Sequence, residues 1–278
     1  MSAARVDTAR VRATRTAAGA LLLTGALVLN GCTGSEDEPA PPARNSTTCP
    51  EEGEPFDGDT LLYIEYNETD GDTGVHGLFG FDGLREVCLR SPAGEQRLLV
   101  DPTGPLGDLG INDFFFESRE PPVDEYSIGD LKADFPEGEY TVSGTDFEGT
   151  ARLGTARFTH DIARGPVVTE PRLADEENAA QAVVPPTGLV VRWEPVTETV
   201  DGEPVTVTAY EVIVNQVEWD DPDSQSRPVY DVHVPPDRTE FPVADGFLLP
   251  GTLYELEVIV LEQSGNQTIT VGFFTTTE

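Results

Sequence analysis

Runs of alternating apolar and polar residues recur from residue 61 to the end of the chain, with Gly, Pro, Asp and Asn between them. A period of two residues is typical of strands that bury one face, and the interrupting residues are typical of turns. The 278-residue chain also has 27 Gly and 23 Pro, more than a helical protein carries. These features predict an all-β protein.

The first predicted domain covers residues 55–163. One short helix is predicted at Ser127–Phe135, where Ser127 and Asp130 have the spacing of a capping box. Phe114–Phe116 is the densest aromatic cluster of the chain, and we interpret it as a buried strand or turn rather than a ligand-stacking platform. The predicted strands are Leu61–Tyr66, Val75–Phe81, Arg85–Leu89, Gln96–Val100, Glu139–Ser143 and Ala151–Thr159.

The second predicted domain covers residues 164–278. Its predicted strands are Leu189–Trp193, Thr208–Val214, Val229–Val234, Glu240–Val243, Glu255–Leu261 and Thr268–Thr276. The run Pro250-Gly251-Thr252-Leu253-Tyr254 before a long alternating segment resembles the tyrosine corner of fibronectin type III domains. Trp193 and Tyr210 stand where that family has its core tryptophan and the aromatic residue of the next strand. The long stretch 171–186 leaves the position of the first strand open.

The fibronectin type III resemblance implies a β-sandwich with Trp193, Tyr210 and Tyr254 in its core, acting as an interaction or spacer module. A weaker version of the same corner occurs in the first domain, at Pro136-Glu137-Gly138-Glu139-Tyr140. We therefore expect two immunoglobulin- or fibronectin-like β-sandwich domains in tandem.

The N-terminus has the pattern of an export signal. Arg5, Arg10, Arg12 and Arg15 precede the uncharged run Thr16–Leu29, which is too short to span a bilayer comfortably. The following Leu29-Asn30-Gly31-Cys32 resembles the lipobox of bacterial lipoproteins, in which the cysteine receives the lipid. The resemblance implies a signal peptide over residues 1–31 and acylation of Cys32, for example with palmitate. The alternative is an ordinary cleaved signal followed by a chance cysteine.

Residues 32–54 are rich in Pro, Ser, Thr and acids and lack periodic apolar residues, so we predict a flexible, disordered tether. Export places the remaining thiols, Cys49 and Cys88, in an oxidising compartment, where we expect them to form a disulfide. Two unrelated buried thiols are the alternative.

The charge balance excludes one class of partner. The chain has 51 acidic and 17 basic side chains and a net charge of −34, so it offers little to a nucleic acid. The excess acid either serves a binding role or keeps the protein hydrated in a salty habitat, where screening removes the self-repulsion.

No residue pattern predicts catalysis. His76, His160 and His233 are isolated in the sequence, and no phosphate loop, metal-binding helix or nucleophile elbow is present. Calcium is the one cofactor that the composition permits. Asn67, Glu68, Asp70 and Asp72 crowd oxygen atoms into a turn, as do Asp220, Asp221 and Asp223. Neither segment fits the twelve-residue calcium loop, and a solvated acidic turn is the simpler interpretation of both.

Together these features predict a non-enzymatic lipoprotein of the bacterial cell envelope. It would be anchored to the membrane through its N-terminal lipid and would display its β-sandwiches as spacers or for binding an extracellular or periplasmic protein or glycan. Integrin-type adhesion has no support, because Ser264–Gln267 lacks Arg-Gly-Asp. The alternative is an extracellular hydrolase, or its accessory subunit, with two carboxylates about 5 to 10 Å apart in a cleft.

Overall fold

The computed structural model describes residues 49–56, 58–219 and 227–278. The described residues form one compact unit built of strands, with two short α-helices and one 3₁₀ helix. The predicted all-β class is confirmed. Two β-sandwich lobes are present, which we call the N-lobe (residues 49–162) and the C-lobe (residues 163–278).

The N-lobe alternates strands with two short helices. Its elements are β1 (Glu54–Pro55), β2 (Thr60–Asn67), β3 (Asp72–Leu84), β4 (Val87–Arg90), β5 (Gln96–Val100), α1 (Gly104–Leu109), β6 (Ile111–Glu117), α2 (Ile128–Asp134), β7 (Gly138–Thr145) and β8 (Ala151–Phe158). At the start of α2 the Ser127 side chain accepts from the Asp130 amide and the Asp130 carboxylate accepts from the Ser127 amide. The predicted helix and its capping box are therefore present.

The C-lobe contains eight strands among its described residues. They are β9 (Val168–Glu170), β10 (Val183–Val184), β11 (Val190–Trp193), β12 (Val207–Gln216), β13 (Val229–Val234), β14 (Glu240–Pro242), β15 (Leu253–Glu262) and β16 (Gln267–Thr276). Residues 171–186, for which the sequence left the position of the first strand open, contain a 3₁₀ helix at Glu176–Gln181 between β9 and β10. The chain thus enters the lobe in two separate short strands.

Each lobe has two facing layers. In the N-lobe the sheet β1-β8-β7-β4-β5 faces β2, β3 and β6, and in the C-lobe β14-β11-β9 faces β13-β12-β15-β16. β10 adds to β16 in parallel. The C-lobe arrangement, three strands against four, is that of a fibronectin type III-like sandwich.

The hydrophobic core is divided between the lobes. Ile162 belongs to the N-lobe core, together with Leu62, Phe79 and Tyr140, whereas the next residue, Ala163, belongs to the C-lobe core. Alternation along the strands turns these side chains inward, and the opposite face of β15 and β16 buries a smaller apolar cluster of Ile259, Ile269 and Val271. Each lobe therefore has the apolar interior that a separate sandwich needs.

The lobes nevertheless share one sheet. Residues 267–269 of β16 pair in parallel with residues 65–67 of β2, which gives the continuous order β13-β12-β15-β16-β2-β3-β6. The Glu68 amide extends this pairing by donating to the Ile269 carbonyl at 3.0 Å. Because strand pairing fixes both direction and register, the lobes have a defined relative orientation.

Candidate functional site

A polar network holds the two lobes together at the turn between β15 and β16. The Asn266 side chain is buried, and its Oδ1 accepts from the Ile64 amide at 2.8 Å. Its Nδ2 donates to the carbonyls of Thr159 and Asp161 at 3.2 and 3.3 Å. One C-lobe side chain thus satisfies backbone groups from two N-lobe segments, so its loss would leave several buried groups without partners.

Glu262 shapes the same turn from inside. Its carboxylate accepts from the amides of Ser264 and Asn266, each at 3.0 Å, and from the Ser264 hydroxyl. Burial raises the pKa of Glu262, although these hydrogen bonds act in the opposite direction. The segment 264–267, noted above for its lack of Arg-Gly-Asp, is therefore part of the contact between the lobes.

A shallow groove runs along this junction, with a volume of about 530 Å³. One wall is the turn after β2, with Glu68 and Thr69, and the other is the segment 165–173. Thr270 and Val271 of β16 form its floor, and Val167, 58% exposed, stands at its rim. Exposed Thr169 and Arg172 provide hydrogen-bond donors. The volume lies within the range of small-ligand sites.

The groove exists because the lobes are joined. The Val271 amide donates to the Thr69 hydroxyl at 2.9 Å, and the Gly165 amide donates to the Glu68 carboxylate. Gly165 also has no room for a side chain, since an added Cβ would lie 2.7 Å from the Thr270 hydroxyl oxygen. Both walls are therefore positioned by contacts across the junction.

A second group of side chains lies on the face of the continuous sheet opposite the N-lobe core. Alternation turns Leu62 and Ile64 into that core and turns Glu65 of β2 to the other face, beside His76 of β3. The imidazole Nδ1 lies 3.7 Å from a Glu65 carboxylate oxygen, and Nε2 lies 3.0 Å from Glu120 Oε1. One candidate ligand atom from each of the three residues lies within 4.8 Å of the others.

The other two histidines have simpler surroundings. The His160 Nε2 lies 2.8 Å from the Phe135 carbonyl, in a contact that links the end of α2 to the segment after β8. His233 of β13 is 64% exposed and lies 3.5 Å from a Glu211 oxygen. Of the three histidines, His76 is the one that the fold places between two carboxylates.

The sequence patterns do not indicate the group of Glu65, His76 and Glu120. A hairpin formed by β2 and β3 places Glu65 and His76 diagonally on one face, so this pair could have been found from the predicted hairpin. Glu120 follows β6 in a non-periodic segment, and no sequence signal places it beside them.

The acidic turn considered for calcium uses its oxygen atoms locally. Asn67 Oδ1 accepts from the amides of Thr69 and Asp70, and Asn67 Nδ2 donates to the Asp70 carboxylate at 3.0 Å. The Glu68 carboxylate contacts the Gly165 amide, as described above, and Asp72 begins β3. This is the geometry of an Asx turn. Calcium binding by Asn67, Glu68, Asp70 and Asp72 stays a prediction.

The three aromatic residues expected in the fibronectin-like core are buried in the C-lobe. The rings of Trp193 and Tyr210 pack with centroids 5.3 Å apart. The Tyr254 hydroxyl accepts from the Leu249 amide at 2.8 Å and lies 3.5 Å from the Phe247 carbonyl, to which it donates. This is the upstream backbone contact of a tyrosine corner.

The predicted disulfide between Cys49 and Cys88 is confirmed. The two Cα atoms lie 5.6 Å apart, a normal separation for a disulfide. The bond connects the first described residue to β4. It therefore fixes the start of the N-lobe against its five-stranded sheet.

The aromatic cluster Phe114–Phe116 lies in strand β6, at one end of the continuous sheet. Phe116 packs across Gly77, which has no side chain to displace it, and its ring centroid lies 6.0 Å from that of Phe79. Phe115 projects from the other face and is 39% exposed. The cluster is thus a strand that is only partly buried.

Several sequence predictions lie outside the described residues. They are the signal peptide over residues 1–31, Cys32 with its lipid, most of the tether over residues 32–54, and the acidic residues Asp220, Asp221 and Asp223. Within the part of the chain that the structure describes, no helix combines the length and the apolar character of a membrane span.

Comparisons with known proteins do not assign the chain to a family. No family model matches the chain, and no curated protein matches it. Among solved structures, it is similar to the crystal structure of the FN1–FN3 domains of chicken CNTN1, with 13% sequence identity and a TM-score of 0.31. The match covers 82% of this chain and 70% of that one.

Proposed function

We propose that this protein is a lipid-anchored binding module of the bacterial cell envelope, which presents the groove between its lobes to an extracellular or periplasmic ligand. The observation that carries the proposal is the strand pairing between β2 and β16, because it produces a groove with fixed walls. Pre-organised walls reduce the entropy that is lost on binding.

The chemistry of the groove favours a polar ligand such as a glycan unit or a short peptide. Val167 and Val271 offer apolar contact, while Thr169 and Arg172 offer donors at the edge. Among the described residues that line it, Glu68 alone carries a carboxylate, and this carboxylate already accepts from the Gly165 amide. The arrangement suits binding better than the paired-acid hydrolysis considered above.

Anchoring is supported by the run Leu29-Asn30-Gly31-Cys32 after a basic and apolar N-terminus. Several acyl chains on one cysteine hold a protein at a membrane even when its own charge is repelled by anionic lipid. The test is incorporation of labelled palmitate in cells that express the wild-type protein or Cys32→Ser. We expect label and membrane association in the wild type only, and equal membrane association of the two proteins would contradict anchoring at Cys32.

Binding is tested by a substitution at the groove and a matched one elsewhere. Val167→Glu places a charge at the rim of the groove, whereas Val229→Glu changes a similarly exposed valine at the start of β13. Glycan and peptide arrays probed with both variants and the wild type should show binding that Val167→Glu reduces at least tenfold. Equal loss in both variants, or no loss in either, would contradict a role for the groove.

A further inference from the structure

We propose that Glu65, His76 and Glu120 form a zinc-binding site on the face of the continuous sheet opposite the N-lobe core. This inference does not depend on the proposed function, because the site lies outside the groove and uses none of the residues that line it.

The donor set favours zinc over calcium. Zinc binds imidazole nitrogen and carboxylate oxygen, commonly through three protein ligands with a fourth position open to water. Calcium takes six to eight oxygen ligands, and an imidazole offers it none.

The spacing of the three ligands is close to what zinc needs. With metal–ligand distances near 2.0–2.1 Å, ligand atoms around a tetrahedral zinc ion stand about 3.4 Å apart. The three atoms here lie within 4.8 Å of one another, and the distance from His76 Nε2 to Glu120 Oε1 is 3.0 Å. His76 Nδ1 faces Glu65 and Nε2 faces Glu120, so an ion bound to one ring nitrogen requires the carboxylate that faces the other nitrogen to turn towards it.

The backbone holds the ligands in place. Glu65 and His76 belong to the paired strands β2 and β3, whose register is continuous from Thr60 to Asn67. The Ser118 hydroxyl accepts from the Val75 amide at 2.9 Å, and Pro122 forms a bridge with Asp72. The segment that carries Glu120 is therefore attached to β3 on both sides of the ligand, as a pre-organised metal site requires.

Gly74 makes room for the third ligand. It pairs with Glu65 across the hairpin, and an added Cβ would lie 2.8 Å from the Cγ of Glu120 and 2.9 Å from the Ser118 hydroxyl oxygen. The missing side chain lets Glu120 reach across β3 to His76. Gly74→Ala should therefore displace one ligand without changing any of the three.

Access and surroundings also suit a bound ion. The Glu120 side chain is 26% exposed, whereas those of Glu65 and His76 are 4% and 2% exposed, so the ion would enter from the Glu120 side. The Tyr63 and Phe115 rings flank the imidazole, with centroids 5.2 and 6.1 Å from it. Such apolar walls limit the competition of water for the ligands.

The test is calorimetric titration of zinc chloride into the full chain carrying Cys32→Ser, after chelator treatment and in buffered salt with excess magnesium. We expect one zinc ion per chain. His76→Gln and Gly74→Ala should weaken binding at least tenfold. The matched control His233→Gln removes the exposed imidazole beside Glu211 and should leave binding unchanged.

Glu120→Gln provides a second variant in case His76→Gln does not fold, because Glu120 is the most exposed of the three side chains. X-ray absorption spectroscopy at the zinc edge, measured on the zinc-loaded parent protein, should show one imidazole nitrogen and oxygen atoms as ligands. The proposal is overturned if the ion's shell lacks imidazole, if the folded site variants bind as tightly as the parent, or if an equal concentration of calcium displaces the zinc.

Discussion

The two lobes have the same sandwich architecture but are stabilised differently. The N-lobe connects its first described residue to β4 through the disulfide Cys49–Cys88, whereas the C-lobe contains no cysteine and packs Trp193 against Tyr210. The C-lobe core is formed largely by its own strands, while the N-lobe core is completed by helix α2, through Leu131, and by Val200 from the C-lobe. The disulfide restricts the unfolded chain of the N-lobe, and the C-lobe has no such link.

Removing the disulfide should have the largest effect on stability and should reveal the difference between the two lobes most clearly. In the chain-entropy model, the closed loop between Cys49 and Cys88 contributes about 3–4 kcal/mol. The double substitution Cys49→Ala and Cys88→Ala should therefore lower the free energy of unfolding by about that amount, as measured by denaturant titration. Hydrogen exchange should increase mainly in β4, β5 and β7. An equal increase throughout the C-lobe would contradict the distinction between the lobes.

Asn266→Ala should have the next largest effect, because it removes the side chain that links the lobes. The Ile64 amide and the carbonyls of Thr159 and Asp161 would lose a partner in a buried region, at a cost of about 2–3 kcal/mol. Hydrogen exchange should increase at β2 and β16 before the interior of either lobe. Asn215→Ala in β12, away from the junction, is the control. It should lower the free energy of unfolding by well under half of the loss expected for Asn266→Ala.

The two corner tyrosines allow a direct comparison of equivalent bonds. The Tyr140 hydroxyl donates to the Pro136 carbonyl at 3.1 Å, whereas the Tyr254 hydroxyl contacts both Leu249 and Phe247. Tyr254→Phe should therefore lower the free energy of unfolding by about 1–1.5 kcal/mol, and Tyr140→Phe by about 0.5–1 kcal/mol. Thermal unfolding of both variants measures the difference, and a larger loss for Tyr140→Phe would show that the N-lobe corner is the stronger one.

The smallest expected effect concerns pH. Burial raises the pKa of Glu262 above its usual value, so its contribution to stability is complete at low pH and is lost as the pH rises through the raised pKa. Glu262→Gln should therefore show less loss of melting temperature than the wild type as the pH rises above the usual glutamate pKa of about 4.3.

Asp201 is the control of opposite sign. The hydrogen bond from Lys132 lowers the pKa of Asp201, so this group stabilises the fold above its usual pKa and loses that contribution as the pH falls. Asp201→Asn should therefore lose less melting temperature than the wild type as the pH falls. Identical pH profiles for the wild type, Glu262→Gln and Asp201→Asn would contradict both assignments.

Local patterns predicted most of the strands. Val229–Val234 was predicted with its observed bounds, and β12, β15 and β16 extend no more than two residues beyond their predictions at either end. Short strands such as β1, β9 and β10 escaped prediction because two or three residues cannot establish a period. Helix α1, Gly104–Leu109, has Pro105 as a start signal, but glycines at its first and fourth positions lower its helix propensity.

The junction and the candidate sites could not be predicted in the same way. The parallel pairing of β16 with β2 joins strands about 200 residues apart, and alternation specifies which face of a strand is buried but not which edge finds a partner. The groove follows from that pairing, so it was equally inaccessible to sequence analysis. Tandem sandwiches were predicted, but their continuous sheet was not.

The central claim is that this sheet holds the two lobes in one orientation, and a distance distribution between them tests it most directly. Spin labels at Glu95→Cys in the N-lobe and Asp237→Cys in the C-lobe would occupy exposed turns, in a chain carrying Cys32→Ser and the intact disulfide. Pulsed electron paramagnetic resonance should give a single narrow distance peak, and Asn266→Ala should broaden it. A broad distribution in the protein with Asn266 intact would contradict the account.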